Sequence, residues 1–205
     1  MNSYQDALDK MALAVESAKV AKSMVVQTEG INEEININLL AWRDDELIAV
    51  AQLMSEFMED RDDRFERIIH AACVFRQGWG ATSITMIAEA YCSSNPSATR
   101  GRDMAEVFAS PDTDYVRECL SFTHIEDETA LFVAVPYSCT SPRKVIYDDP
   151  LQHRGSGVIR DARYPLGFMR ALALRTECNE VTDDPYFYEL LAKGIMDLGF
   201  EINYR

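Results

Sequence analysis

From residue 3 to residue 27, apolar side chains recur every three or four positions, with Leu8, Met11, Val15 and Ala18 on one stripe. That period predicts an amphipathic helix. Ser3 is placed to cap it, with Asp6 three residues on, and Lys19 and Lys22 near its end complement the helix dipole. Thr28, Glu29 and Gly30 break it. Residues 31–41 alternate Ile35, Ile37 and Leu39 with Asn36, Asn38 and Leu40, which fits a short strand or an extended connector. Residues 43–77 carry a second helical stripe that includes Leu47, Val50, Met54, Phe57, Ile68 and Ala72. The charged run at 59–64 interrupts it, so one long helix or two helices meeting near residue 61 are expected, and Gly78 and Gly80 end the segment.

The period then switches from 3.6 to 2. Residues 82–92, rich in Thr, Ile and Tyr, read as a strand. Residues 95–103 read as a polar loop and 104–110 as one helical turn. Residues 115–126 and 129–138 read as two strands joined by a tight hairpin at Asp127-Glu128 or, since that is not a favoured turn pair, by a longer loop, and 143–147 add a fourth. Residues 148–163 look loop-like, with Val158 and Ile159 as a short strand. Residues 165–175 read as a helix. Asp184-Pro185 opens the last helix, Gly199 closes it, and residues 200–204 alternate as a strand at a sheet edge. The expected fold is α+β: an N-terminal helical layer packed on a small antiparallel sheet of three to four strands, with C-terminal helices. A single domain over residues 1–205 is expected, mainly helical over 1–77, sheet over 78–147, and loop and helices over 148–205.

Charge narrows the function classes. The net charge is −14, which argues against direct binding to nucleic acid or to an anionic membrane surface. The excess is uneven: residues 1–66 hold 15 acids against 6 basic residues. No apolar run reaches the length of a membrane span, and residues 1–10 lack the pattern of a signal peptide, so a cytoplasmic protein is expected. The five cysteines (73, 92, 119, 139 and 178) form no CxxC pair and read as reduced thiols.

Candidate chemistry is sparse. His70, His124 and His153 belong to no metal-binding pattern, and the acid runs at 44–46 and 62–63 lack EF-hand spacing, so no metal and no cofactor are expected. No catalytic constellation emerges. The one segment suited to a ligand is 153–163 (HRGSGVIRDAR), whose glycines expose backbone N–H groups and whose arginines add positive charge. His153, Arg154 and Arg160 are therefore ligand-binding candidates. Glu89, a lone carboxylate in the apolar strand ITMIAEAY, joins them, because a half-buried acid can serve as a proton donor or acceptor. Met11, Met24, Met54 and Met58 lie on the first helical segments and suit adaptable packing or a contact between helices.

Two stretches, RQGWGATSITMIAEAYCS at 76–93 and SPDTDYVRECLSFTHIEDETALFVAVPY at 110–137, resemble small uncharacterised proteins encoded by actinobacteria and their bacteriophages. In those, a helix ends at Gly, a strand ends in a motif like EAW or EAY, and a Ser-Pro-acid loop precedes a hairpin. Glu89-Ala90-Tyr91 and Ser110-Pro111-Asp112 carry the match. The resemblance implies a phage or accessory gene product, with no activity attached.

Together these readings favour a non-enzymatic interaction protein that binds a host or virion protein, in the host cytoplasm if phage-encoded. The N-terminal helices are the expected contact surface, for a partner or for a homo-oligomer. Three alternatives are an enzyme or small-ligand binder using the 153–163 loop, a virion structural subunit, and an acidic mimic of DNA.

Overall fold

The computed structural model describes residues 3–30, 33–93, 95, 107, 115–126, 129–140, 143–154, 163–174 and 185–204. The first helix forms as its stripe dictates: α1 spans Ser3–Thr28. The lysines expected at its end do other work. Lys19 pairs with Glu16 and Lys22 turns inward, while Arg143, distant in sequence, donates to the carbonyls of Gln27 and Thr28. A cation at a helix C-terminus is favourable wherever in the chain it originates.

Residues 38–53 include a strand where the alternation up to residue 41 fits one, but no helix where one is expected from residue 43. They form a hairpin of β1 (Asn38–Arg43) and β2 (Glu46–Leu53), turning at Asp44 with φ 52, a left-handed conformation that Asp tolerates better than most residues. A β-bulge explains the misleading pattern. Ala41 faces Ala49 and Trp42 faces Leu47, so Ile48 is an extra residue and the simple alternation of β2 is lost. What remains, Leu47 to Leu53, is a nearly continuous apolar run with helix-like coincidences at Leu47, Val50 and Met54. The true helix, α2 (Arg61–Trp79), starts at Asp60, whose carboxylate accepts the Asp62 and Asp63 N–H groups at 2.8 Å. Gly80, at φ 68, ends it. Gly78 lies within it, where an added Cβ would come within 2.6 Å of a Leu191 methyl, so that glycine permits close helix packing.

β3 (Ser83–Ser93), β4 (Val116–Glu126) and β5 (Thr129–Thr140) follow as the switch of period predicts. Glu126 pairs with Thr129, so the β4–β5 turn is tight. β6 (Lys144–Tyr147) and β7 (Leu151–Arg154) both pair with β5 and share one edge, interrupted at residues 148–150. The loop expected over 148–163 thus contains a strand at Leu151–Arg154. Val158, Ile159 and most of 95–110 lie outside the described residues. α3 (Arg163–Leu172) and α4 (Pro185–Asp197) complete the helices, and β8 (Phe200–Tyr204) pairs with β2 as an edge strand.

The strands form one eight-stranded antiparallel sheet, ordered β6-β5-β4-β3-β1-β2-β8 with β7 beside β5. This overturns the expected sheet of three to four strands, since β1, β2, β7 and β8 bring the number of strands to eight. The class remains mixed α+β. α2, α3 and α4 cover one face over Leu39, Leu53, Ile84, Met86 and Ile125. α1 covers part of the other, with Met11, Ala14, Val15 and Ala18 over Leu120, Phe122, Leu131 and Val133. No described helix is long and apolar enough to cross a membrane.

Candidate functional site

Each side chain on the α1 face is placed by the strand period. On β3, Thr85, Ile87 and Glu89 point toward α1, and on β4 so do Leu120, Phe122, His124 and Glu126. Two buried lysines of α1 descend onto this surface at opposite ends. Lys22, 2% exposed, sits 2.8 Å and 3.0 Å from the two Glu89 oxygens and donates to the Glu33 carbonyl at 2.6 Å. Glu89 also accepts the Ile35 N–H at 2.8 Å and the Tyr137 hydroxyl at 2.6 Å. The Lys22 ammonium lies 5.1 Å from the Tyr137 ring centre, a favourable cation–π placement. Glu89 thus ties together α1, the 33–37 connector, β3 and β5.

At the other end, Lys10 donates to Glu126 at 2.9 Å and to the Ser83 hydroxyl at 3.4 Å. Glu126 also meets His124 Nε2 at 3.4 Å, His124 Nδ1 lies 2.8 Å from Thr85 Oγ1, and Trp42 Nε1 donates to that oxygen at 3.1 Å. A hydroxyl, an imidazole and a carboxylate in sequence resemble the machinery of a hydrolase. The proton directions differ from it. Trp42 can only donate, so Thr85 accepts from it, and the Glu126 carboxylate can only accept, so a neutral His124 leaves Nδ1 bare to take the Thr85 hydrogen. His124 then carries its proton on Nε2, toward Glu126. Thr85 and His124 are fully buried, so no substrate reaches them. The array holds the sheet to α1.

Burial lowers the His124 pKa below its ordinary 6.5, against the upward pull of Glu126. For Glu126, burial pushes upward but is outweighed by the His124 and Lys10 hydrogen bonds, and the net shift is downward. The unfolded chain therefore takes up a proton near pH 6.5 that the folded chain refuses. The His124 contribution to stability is complete above that pH and is lost as pH falls from there toward the folded value. Thermal melts are expected to show Tm falling on acidification from pH 7 to about pH 5.5, with a shallower slope in His124→Gln. An equal slope in the two proteins would remove His124 as the cause.

Of the sequence candidates, Glu89 is the hub just described. His153 and Arg154 fall in β7, opposite Phe132 and Leu131, and Arg160 lies outside the described residues. His153 is three strands across from β3 and, by register, three residues along from Glu89, about 14 Å by about 10 Å. The structure does not bring them together. His70 is exposed on α2. Among the described residues, no group of three or more His, Cys, Asp or Glu side chains forms a metal-ligand set.

What the sequence reading missed is an open trough. α1 packs over β3 to β6; on its side of the sheet Leu40 and Trp42 of β1 are buried, while Leu47 and Val50 of β2 are only partly covered. Between α1 and these strands runs an apolar groove of about 320 Å³, with Leu13, Ser17 and Ala21 on the helix side and Leu40, Leu47 and Val50 on the sheet side. Ala21, Ile35 and Asn38 continue it into a larger hollow of about 630 Å³ bordered by Glu29, Glu33 and Glu34. Leu13, Val20 and Met24 stand 53–60% exposed on the helix that borders it. A signal existed: Leu13, Ser17, Val20, Ala21 and Met24 follow helical spacing but lie beside the stripe that α1 buries. No family model, curated protein or solved structure matches the chain.

Proposed function

We propose that this chain is a non-enzymatic interaction protein that seats a basic amphipathic helix of a partner protein in the trough beside α1. The observation that carries the reading is the trough itself, apolar from Leu13 to Val50 and acidic at Glu29, Glu33 and Glu34. The stretch from Leu13 to Met24 spans about 16 Å, three helical turns. Ser17 and Ala21 are small enough for a second helix backbone to approach closely. An apolar face with Lys or Arg at one end complements both halves of the trough, the helix-in-groove mode of recognition. A second copy of the chain is a poorer complement, because it brings another net charge of −14. The resemblance to phage-encoded proteins makes a host or virion protein the natural source of the helix.

The test uses a fluorescent Leu/Lys amphipathic helix of about fifteen residues as probe, titrated with the whole protein. Binding is expected, weakening as salt rises. Val20→Asp and Met24→Asp each alter an exposed side chain, so the fold should be unaffected while affinity falls by at least about tenfold, a loss of about 1.4 kcal/mol. Glu33→Gln with Glu34→Gln should weaken binding and flatten the salt dependence. No binding, or binding indifferent to Val20→Asp, would refute the reading. A native mass of two chains that Val20→Asp reduces to one would assign the trough to a second copy instead.

A further inference from the structure

On the opposite face of the sheet from the trough, we propose that Cys92 and Cys119 form a redox-active dithiol that hydroperoxides convert to a reversible disulfide. The strand register supports this. Cys92 on β3 faces Arg117, and Cys119 on β4 faces Ala90, so the cysteines are diagonal neighbours two residues apart on one face. The two thiols are near enough to perturb each other's ionisation. Cys119 is buried at 1% exposure and Cys92 is partly open. On the same face a cavity of about 320 Å³ is lined by Ala90, the cross-strand partner of Cys119, with Ala88, Ser121 and Thr123. Neither cysteine lines that cavity, so an oxidant meets the pair at the partly exposed Cys92.

The two thiols are not equivalent. The neighbouring Cys119 thiol lowers the Cys92 pKa to about 7, against burial, with help from Arg117. The Cys92 thiol and its own burial raise that of Cys119. At neutral pH Cys92 is about half thiolate, whereas an ordinary thiol is only a few per cent ionised. Cys92 is therefore the attacking sulfur. Its thiolate displaces on the terminal oxygen of a hydroperoxide, the O–O bond breaks, and the alkoxide or hydroxide leaving group takes a proton from water. Cys92 is now a sulfenic acid. The Cys119 sulfur attacks it, the S–O bond breaks, and the Cys119 proton leaves with the hydroxyl as water. The two sulfurs have given two electrons to the peroxide. Two exchanges with a dithiol reductant return both thiols.

The diagonal position sets the character of the bond. Diagonal pairs in an antiparallel sheet lie about 7–8 Å apart, beyond the usual Cα separation of a disulfide. A bridge here pulls the ends of β3 and β4 toward each other, so it should be readily reduced.

The experiment treats the whole protein with hydrogen peroxide, then measures intact mass and maps disulfide-linked peptides without reduction. The expected result is loss of two hydrogens, a peptide linking Cys92 to Cys119, and complete reversal by dithiothreitol. Cys92 should lose its thiol about tenfold faster than Cys73 or Cys139. Cys119→Ser should leave a Cys92 sulfenic acid that dimedone captures, and Cys92→Ser should abolish the link. The wild-type peptide map decides the matter even if a variant folds poorly. A bridge to any other cysteine, or oxidation of Cys92 to sulfinic acid with Cys119 still free, would overturn the proposal.

Discussion

Replacing Lys22 by methionine is expected to destabilise the protein by about 3–5 kcal/mol. The substitution keeps the length and apolar stem of the side chain but strands the Glu89 carboxylate, which is 9% exposed, without its cation. It also removes the donor to the Glu33 carbonyl. For a chain of this size, a loss of 3–5 kcal/mol lowers Tm by roughly 10 °C. The decisive measurement is a double-mutant cycle with Glu89→Gln. A neutral amide still accepts the Ile35 N–H but leaves no buried charge unpaired, so the double variant should be more stable than Lys22→Met alone by about 2 kcal/mol. Strict additivity of the two single changes would show that the pair does not act as a unit.

Thr85→Val is expected to cost about 2–4 kcal/mol, although the two side chains have nearly the same shape. The loss falls on two neighbours. Trp42 Nε1 and His124 Nδ1 both use the Thr85 hydroxyl, and both are left without a partner in the core. A change of His124 tautomer offers no rescue. It would place a hydrogen on Nδ1, facing a methyl group, and a lone pair on Nε2, facing the Glu126 carboxylate. Thr85→Ser keeps the hydroxyl and loses one methyl, so it should cost no more than about 1.5 kcal/mol. Chemical denaturation of the three proteins checks the order. Equal losses for Val and Ser would mean that packing, and not the hydrogen-bond chain, dominates at this position.

These two effects bear on how the α1 face divides its labour. The titratable groups beneath α1 are consumed in holding the helix: Lys10 by Glu126 and Ser83, Lys22 by Glu89 and Glu33, His124 by Thr85 and Glu126. A sequence reading that seeks chemistry in lone polar residues finds Glu89 for a sound reason, since a carboxylate in an apolar strand does demand an explanation. The explanation is a lysine 67 positions away. The apolar residues beside the trough stand exposed, and in the function proposed above they are the surface that a partner helix would bury.

Local rules settled much of this protein. The 3.6-residue period of residues 3–27 fixed α1, the switch to alternation after Gly80 fixed β3, β4 and β5, and the two residues between Glu126 and Thr129 fixed their hairpin. Residues 200–204 alternate, and they do pair at a sheet edge. In each case the signal lies within a few residues, because the side-chain period of a helix or a strand is a property of its own backbone. The remainder depended on distant parts of the chain. β2 carries a bulge whose reason is its pairing with β1, and the bulge erased the alternation that would have marked it. Lys10 and Lys22 look like surface charges until their partners are known, since burial of a charge is decided by what faces it across the core. The trough and the Cys92–Cys119 diagonal arise from the width of an eight-stranded sheet and from the register of two strands. Both are set by long-range pairing, which no local pattern encodes.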